Sequence, residues 1–477
     1  LDRLAVFAGA RFICAEVTGI DRQGRRLLLR DRPSMPYDLV SINIGSTPQV
    51  GKVPGALAHA VAVKPIFQFN QRWLALLERV RQHDGPLTIA VVGGGAGGVE
   101  LTLAMLYRLR KVLQGLGRDP QQLAFHLFTA DSTILATHNA SVQQRYSDVL
   151  RRRGVQVHES APVQAVQASG LQTGDGQWFD ADEIVWVTQA GGAAWLQATG
   201  LALDERGFIR VNDFLQSVTD TRIFAAGDVA SMERHRLEKA GVFAVRMAKP
   251  LARNLRLALA GQPLLAYRPQ RHWLALISTG DRYAVASRGR LSFAGAWVWR
   301  WKDWIDRRFM RRFAEFPPMV QPKAAAPAAA AGLPLTEQES LQAISAIAMR
   351  CGGCGAKVGA SVLSRALADL VPVANTDVAI GLHAPDDAAI VRVPPGQAMV
   401  HTVDFFRAFI DDPFVFGQIA ANHALGDIFA MGAQAQSATA IATVPPGLDD
   451  KVEETLRQMM TGAVEVLNAA GCALVGG

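Results

Sequence analysis

The stretch LTIAVVGGGAGGVELTLAMLYRLRKVL, residues 87–113, decides the fold of the first part of the chain. A short apolar run ends at Val92, and Gly93, Gly95 and Gly98 follow before apolar residues recur at helical spacing. A strand, a tight glycine turn and a helix in this order let a pyrophosphate group come close to the first turn of the helix. We therefore predict a Rossmann-type unit in which these three glycines bind NAD(P)H.

The sequence leaves open which residue would select between NAD and NADP. The next predicted strand lies in AFHLFTADS and puts Thr129 where an acidic residue would hold the ribose hydroxyls of NAD. Asp131 follows two residues later and is explained equally well as an ordinary turn residue.

Composition indicates a multidomain globular protein. The chain has 477 residues, of which 49% are hydrophobic and 19% charged, so it is too long for one core and two or three domains are expected. Four cysteines are too few for a disulfide scaffold, which favours a reducing, cytoplasmic setting. The longest apolar runs have strand length, and no secretory leader opens the sequence. The net charge of +7 is partly local and comes with no arrayed basic and aromatic surface, so no nucleic-acid partner is expected.

A domain boundary is predicted at PPMVQPKAAAPAAAAGLPL, residues 317–335. Its prolines and its single charge, without a periodic apolar face, are typical of a semi-rigid linker. We assign 317–345 to this linker.

A second signature is DTRIFAAGDVA, residues 220–230. A predicted strand delivers Gly227 and Asp228 to its end, where a carboxylate can accept a hydrogen bond from a ribityl or ribose hydroxyl. Together with YDLVSINIGSTP (37–48) and KAGVFAVRMAKPLARNL (239–255), this run resembles the two-dinucleotide flavoprotein family. The resemblance is closest to type II NADH dehydrogenases and sulfide:quinone reductases.

That resemblance implies an α/β fold with Rossmann-like FAD and NAD(P) domains. The FAD-binding domain would comprise residues 1–85 and 205–316, and the NAD(P) domain residues 86–204. Gly227 and Asp228 would contact FAD, hydride would pass from NAD(P)H to the flavin, and a quinone or another acceptor would take the electrons.

Two departures from the family pattern matter. No glycine motif for the FAD pyrophosphate precedes Gly93, which predicts that the chain is a piece that lacks its first segment. Cys14 has no partner near it in sequence, so the module is expected to be of the cysteine-free NADH dehydrogenase type.

The segment WVWRWKDWIDRRFMRRF, Trp297–Phe313, is predicted to form an amphipathic helix with Trp297, Trp301 and Trp304 on one face. Such a helix could lie in a membrane interface, on the inner face of the membrane, or pack on the surface of its own domain. The sequence is consistent with both interpretations.

The run RCGGCGAKVG, residues 350–359, opens the last part of the chain and allows three interpretations. A zinc site would need a second ligand pair, and a redox dithiol usually begins a thioredoxin-like helix. Instead, carboxylates follow: Asp386 and Asp387 come just before a predicted strand, Asp404 ends the next predicted strand, and Asp427 lies on a predicted helix. Oxygen ligands of this kind with a lysine upstream suit a magnesium-nucleotide site.

With the runs DDAA, TVDFF, DDPFVFGQIAANHALGDIFAMG and ALVGG, this part resembles the N-terminal half of selenide, water dikinase. The resemblance covers about residues 351–477, and we assign 346–477 to this part. It implies an incomplete α+β domain of the aminoimidazole-ribonucleotide-synthetase type that dimerises and makes selenophosphate from ATP and selenide. Cys354 would present selenium, Lys357 would stabilise phosphate charge, and Asp387, Asp404 and Asp427 would hold Mg²⁺. Cys351 is expected to have no role, and His423 is read as an ordinary core or surface histidine.

Two alternatives remain. The same fold could serve a thiamine-monophosphate kinase or a hydrogenase maturation factor, but neither carries the Cys-x-x-Lys loop of Cys354 and Lys357. A non-catalytic, membrane-docked scaffold would bind neither flavin nor ATP.

Overall fold

The computed structural model describes residues 1–188, 190–316, 338–341, 357–383 and 388–477. The predictions on Cys351, Cys354, Asp386 and Asp387, and on the linker up to residue 337, lie outside these described residues.

The chain divides into two compact units, which are Leu1–Tyr37 with Pro318–Gly477, and Asp38–Pro317. The first unit thus groups the amino-terminal residues with the carboxy-terminal segment, whereas the sequence predicts that residues 1–85 form part of one FAD-binding domain. The predicted domain boundaries stay predictions.

The helices follow one another as α1 (Asp2–Ala8), α2 (Ala56–His59), α3 (Ile66–Gln82), α4 (Ala96–Gly115), α5 (Ala140–Arg152), α6 (Gly241–Leu259), α7 (Ala296–Ala314), α8 (Ala360–Leu367), α9 (Pro413–Ala430) and α10 (Asp449–Ala469). The strands are β1 (Val17–Asp21), β2 (Arg26–Leu29), β3 (Met35–Pro36), β4 (Val40–Ile42), β5 (Thr47–Pro48), β6 (Val61–Ala62), β7 (Leu87–Val92), β8 (Leu123–Phe128), β9 (Val155–His158), β10 (Val163–Gln167), β11 (Gly170–Thr173), β12 (Trp178–Asp180), β13 (Glu183–Trp186), β14 (Ala190–Gly191), β15 (Ile209–Val211), β16 (Ile223–Ala225), β17 (Ala230–Met232), β18 (Ala275–Ser278), β19 (Ala284–Arg288), β20 (Leu291–Gly295), β21 (Val378–Ile380), β22 (Ile390–Val391), β23 (Ser437–Thr439) and β24 (Ala473–Gly476).

A five-stranded parallel sheet in the order β6-β13-β7-β8-β9 is the centre of the second unit. Strand β7 is almost wholly buried, as expected for a strand covered on both faces. The core on one face joins this sheet to α3, α4 and α5, with Leu103, Leu106 and Tyr146 fully or nearly fully buried. The predicted strand, glycine turn and helix are therefore present.

The remaining strands of this unit form small sheets around that core. Strand β16 pairs in parallel with β4, and β15 pairs in parallel with β17. Strands β18, β19 and β20 form an antiparallel sheet, against which α7 packs through the buried Val298.

The first unit combines a three-stranded antiparallel sheet, β1-β2-β3, with the helices α8, α9 and α10. We call residues 17–36 of this sheet the amino-terminal meander. The core of the carboxy-terminal segment lies between the helices and β24, with Leu425, Leu456 and Leu474 buried.

One sequence prediction is wrong here. The strand expected to end at Asp404 is absent, because residues 397–409 pair with no described strand and run as an irregular segment. Val403 and Phe405 are about 70% exposed, so this segment has no second covering layer in the described residues.

Candidate functional site

The glycine turn between β7 and α4 contains two kinds of glycine. Gly93 has φ 131°, and a Cβ there would lie 2.7 Å from the Val187 carbonyl oxygen. A Cβ on Gly98 would lie only 1.8 Å from the Gly93 carbonyl oxygen. A Cβ on Gly95, which caps the start of α4, meets nothing within 4 Å. Gly93 and Gly98 are thus required by the fold, whereas the space at Gly95 faces the amino end of a helix, where a pyrophosphate fits.

Thr129 lies directly after β8, beside this turn. Its side chain is buried, and its hydroxyl accepts a hydrogen bond from the Asp131 N–H at 3.2 Å. A Cβ on Gly94 would come within 2.5 Å of the Thr129 Cβ, so the threonine packs against the turn. The choice between NAD and NADP remains open.

Asp228 is held by two partners that the sequence analysis missed. The Ser46 hydroxyl donates a hydrogen bond to Asp228 Oδ2 at 3.0 Å, and Lys64 Nζ lies 3.1 Å from the same oxygen. Lys64 also donates to Ser46 Oγ at 2.9 Å. Gly227 needs its left-handed conformation (φ 72°), and a Cβ there would clash with Asn43 Oδ1. These two contacts of Asp228 could not be predicted from the sequence, because Ser46 and Lys64 precede Asp228 by 182 and 164 positions.

Lys239 is a partly buried cation near the same carboxylate. Its ammonium donates to the Ala230 carbonyl oxygen at 2.8 Å and lies 3.9 Å from the centre of the Phe208 ring. Burial lowers the pKa of Lys239 to about 8, although the charges of Asp204 and Asp228 oppose this change.

Glu100, on α4 directly after the glycine turn, is a largely buried acid that the sequence analysis also missed. Burial raises its pKa, and the Ser278 N–H donates to its Oε1 at 2.7 Å. The signal was present, since Glu100 is the one acidic residue in the apolar run GGVELTLAML.

In the carboxy-terminal segment, one predicted magnesium ligand, Asp427, lies on helix α9, and another, Asp404, lies against that helix. Asp427 and His423 are four residues apart on α9 and so share a face of it. The Thr402 hydroxyl donates to Asp427 Oδ2 at 2.8 Å, and His423 Nε2 lies 3.8 Å from Asp404 Oδ2. The segment 402–404 therefore follows this face of α9 and brings Asp404 and Asp427 to the same surface.

The other predicted site residues are less informative. Lys357 is exposed, and Cys354 and Asp387 lie outside the described residues. Within the described ranges, no group of three or more His, Cys, Asp or Glu side chains is arranged to bind a metal. His423 is a surface histidine that packs edge-on against the Phe406 ring, with the ring centroids 5.4 Å apart. The assigned roles of these residues stay predictions.

Comparison with known proteins identifies the redox part. Residues 6–248, more than half of the chain, match the family model for pyridine nucleotide-disulphide oxidoreductases. The chain belongs to this family. Among solved structures, the chain is similar to the sulfide:quinone oxidoreductase of Aquifex aeolicus, with a TM-score of 0.54 and 17% identity over 63% of this chain and 75% of that one. NDH2 from Plasmodium falciparum, solved in complex with NADH, has a TM-score of 0.51 and 13% identity over 63% of this chain and 80% of that one. At these identities the likeness shows the fold alone.

This oxidoreductase also carries a second, unrelated module. Residues 385–477 match the N-terminal domain of the AIR synthase related family. The chain is 42% identical over 130 residues to a selenide, water dikinase of Nitratidesulfovibrio vulgaris, covering 27% of this chain and 36% of that protein. It is 42% identical over 127 residues to that of Myxococcus xanthus, covering 27% and 35%. The chain thus spans about a third of the length of the curated relatives it matches. The predicted fusion, with a Rossmann-like FAD/NAD fold before an AIR synthase type domain, is confirmed.

Proposed function

We propose that the protein joins an FAD-dependent NAD(P)H oxidoreductase to a selenophosphate synthetase. The observation that carries the synthetase half is the 42% identity to selenide, water dikinases over 130 residues. The fine architecture belongs to this proposal: an FAD domain interrupted by an NAD(P) domain, followed by the N-terminal half of an α+β synthetase.

In the oxidoreductase, we assign NAD(P)H to the turn of Gly93, Gly95 and Gly98, and FAD to Gly227 and Asp228. Both contacts of Asp228 are to Oδ2, so Oδ1 is the oxygen that would accept a hydrogen bond from a flavin hydroxyl. Lys64 and Ser46 would hold the carboxylate in that orientation. FAD would supply the hydride chemistry, with a quinone or another small molecule as acceptor.

In the synthetase, Asp404 and Asp427, with Asp387, would hold Mg²⁺ against the phosphates of ATP. The placement of Asp404 and Asp427 at one face of α9 supports this assignment, because Mg²⁺ takes oxygen ligands and needs few from the protein. Lys357 would offset phosphate charge, and the Cys354 thiolate would present selenium. In the overall reaction, one phosphoryl group of ATP goes to selenide and one to water, which leaves selenophosphate, AMP and orthophosphate.

Homodimerisation through the synthetase domain and contact of α7 with the inner face of the membrane complete the proposal, in a cytoplasmic protein. No described helix is long and apolar enough to span a bilayer.

The test uses the complete reading frame that contains this chain. Phosphorus NMR with ATP, Mg²⁺ and selenide should show AMP and selenophosphate for the wild type, and neither for Cys354→Ser. ADP as the sole nucleotide product, unchanged by Cys354→Ser, would instead favour a kinase of the thiamine-monophosphate type.

A second arm of the same experiment tests the flavin site. The purified wild type should absorb near the flavin maxima, and Asp228→Asn should lower the flavin content at least about tenfold, since it weakens a charge-assisted hydrogen bond. Asp220→Asn, in the turn before β16, is the control and should keep its flavin. A colourless wild type would exclude the redox half of the proposal.

A further inference from the structure

A buried ion pair holds the amino-terminal meander against α9 within the first unit. Arg32 Nη1 and Nη2 each lie 2.8 Å from a carboxylate oxygen of Asp412, which makes the contact bidentate. The two side chains are only 5% and 13% exposed. The Arg32 guanidinium also lies 4.9 Å from the centre of the Phe414 ring.

Asp412 has a second role, because it is the N-cap of α9. Its Oδ1 accepts hydrogen bonds from the Phe414 and Val415 N–H groups. Although burial opposes it, the hydrogen bond and charge of Arg32 hold the pKa of Asp412 below its usual range. One carboxylate therefore both begins the helix and binds the meander.

A second group of contacts joins Ser34 of the meander to the neighbouring helix α10. The Ser34 carbonyl oxygen accepts hydrogen bonds from Arg26 at 2.8 Å and from Arg457 at 2.7 Å. Glu454 pairs with Arg26 at 3.2 Å and with Arg457 at 2.7 Å. The meander is thus tied to both α9 and α10 by partly buried polar groups that pair with one another, although Arg32 Nε has no hydrogen-bond partner among the described residues.

We propose that the face formed by Asp412, Glu454 and Arg457 is a docking surface for the amino-terminal meander of the same chain, and that this contact braces α9. The occupant is specific, because the fork of Arg32 matches the Asp412 carboxylate in geometry and charge. Buried charges of this kind are tolerated only while they are paired, so the face needs the meander in order to remain satisfied.

The brace has a consequence for the synthetase, and this part rests on the proposed function. Helix α9 begins at the braced Asp412 and carries Asp427, the proposed magnesium ligand, in its last turn. Arg32 would then be a positioning residue for that carboxylate without touching the nucleotide.

The docking is tested by hydrogen exchange on the complete protein, read in peptides that cover residues 413–430. Arg32→Gln leaves Asp412 without its cation, and exchange in this helix should become faster on the order of 100-fold. Arg30→Gln is the matched control, because Arg30 also lies in the meander but pairs with Glu16 in an exposed contact, with side chains 58% and 63% exposed. Equal exchange in all three proteins would overturn the proposal.

Arg32→Lys covers the case in which Arg32→Gln fails to fold. It keeps the charge but loses the bidentate geometry, so exchange in α9 should still become faster, by a smaller factor. Exchange at wild-type rates in Arg32→Lys would count against the specific fork.

The link to Asp427 is tested by magnesium titration of AMP formation. Arg32→Gln or Arg32→Lys should raise the half-saturating Mg²⁺ concentration at least about threefold, with Arg30→Gln unchanged. An unchanged Mg²⁺ requirement beside faster exchange would overturn the bracing of Asp427. A wild type that forms no AMP would exclude the proposed function, while hydrogen exchange would still decide the docking.

Discussion

At the scale of single residues, the glycine turn allows binding to be separated from folding. Gly95→Ala adds a methyl group where the protein leaves open space, so the chain should keep its thermal stability and lose NAD(P)H affinity at least about tenfold. Gly98→Ala puts the methyl group 1.8 Å from the Gly93 carbonyl and should cost more than about 2 kcal/mol of stability. Calorimetry measures the thermal stability of both variants, and titration with NADH measures their affinity for the cofactor. A Gly95→Ala protein that binds NADH like the wild type would contradict the assigned cofactor position.

Lys239 gives a prediction about pH. Its pKa is lowered to about 8 in the folded protein from an ordinary value of 10.5. Between these pH values the Lys239 side chain is therefore protonated in the unfolded chain and largely deprotonated in the folded protein. The stability that Lys239 contributes is present above pH 10.5 and is lost as the pH falls through about 8.

Between pH 7 and pH 10, the free energy of unfolding of the wild type should therefore rise relative to Lys239→Met by about 1–2 kcal/mol, discounted for partial exposure. Urea unfolding at several pH values measures this difference. Lys111→Met, at an exposed position on α4, serves as the control. Parallel pH profiles for the wild type and Lys239→Met would show that Lys239 is not buried in solution.

At the scale of secondary structure, the sequence pattern predicted the elements whose formation depends on residues close together in the chain. The apolar run of β7, the glycine turn and α4 were foreseen, and so was the amphipathic helix α7. The Asp404 strand was not, because a strand exists only if another strand pairs with it, and alternation within one segment does not reveal the partner. The partners of Asp228 and the Arg32–Asp412 pair were missed for a related reason. Nothing local in a sequence marks two residues as neighbours across 380 positions.

Helix α7 presents three of its four tryptophans to solvent, which favours the membrane interpretation over packing of that face on the domain, while Trp299 packs against the core. Trp297 and Trp304 are at least half exposed, and Trp301 is 38% exposed. The triple variant with serine at these three positions should lose binding to anionic lipid vesicles in a flotation assay by at least about tenfold, because each indole contributes apolar area at the interface. Tyr107→Ser, at an exposed aromatic on α4, should float like the wild type. If the wild type stays in the dense fraction, α7 does not bind membranes of this composition.

At the scale of the whole molecule, the fusion suggests that the flavin module delivers reduced selenium to the synthetase. In the complete protein, NADH should accelerate selenophosphate formation from an oxidised selenium compound, and Asp228→Asn should abolish this acceleration. The same variant should still use added selenide at the wild-type rate, because its synthetase residues are unchanged. Phosphorus NMR measures both rates, and a rate from oxidised selenium that ignores NADH would show that the modules work independently.

The Arg32–Asp412 contact also has a consequence for synthesis on the ribosome. Asp412 is translated 380 residues after Arg32, which at about 5–20 residues per second is a delay of roughly 20–80 s. Throughout that interval the meander has emerged while the helices that cover it do not yet exist. A nascent chain stalled before residue 412 would therefore expose a surface that chaperones and proteases can reach and that the finished protein hides.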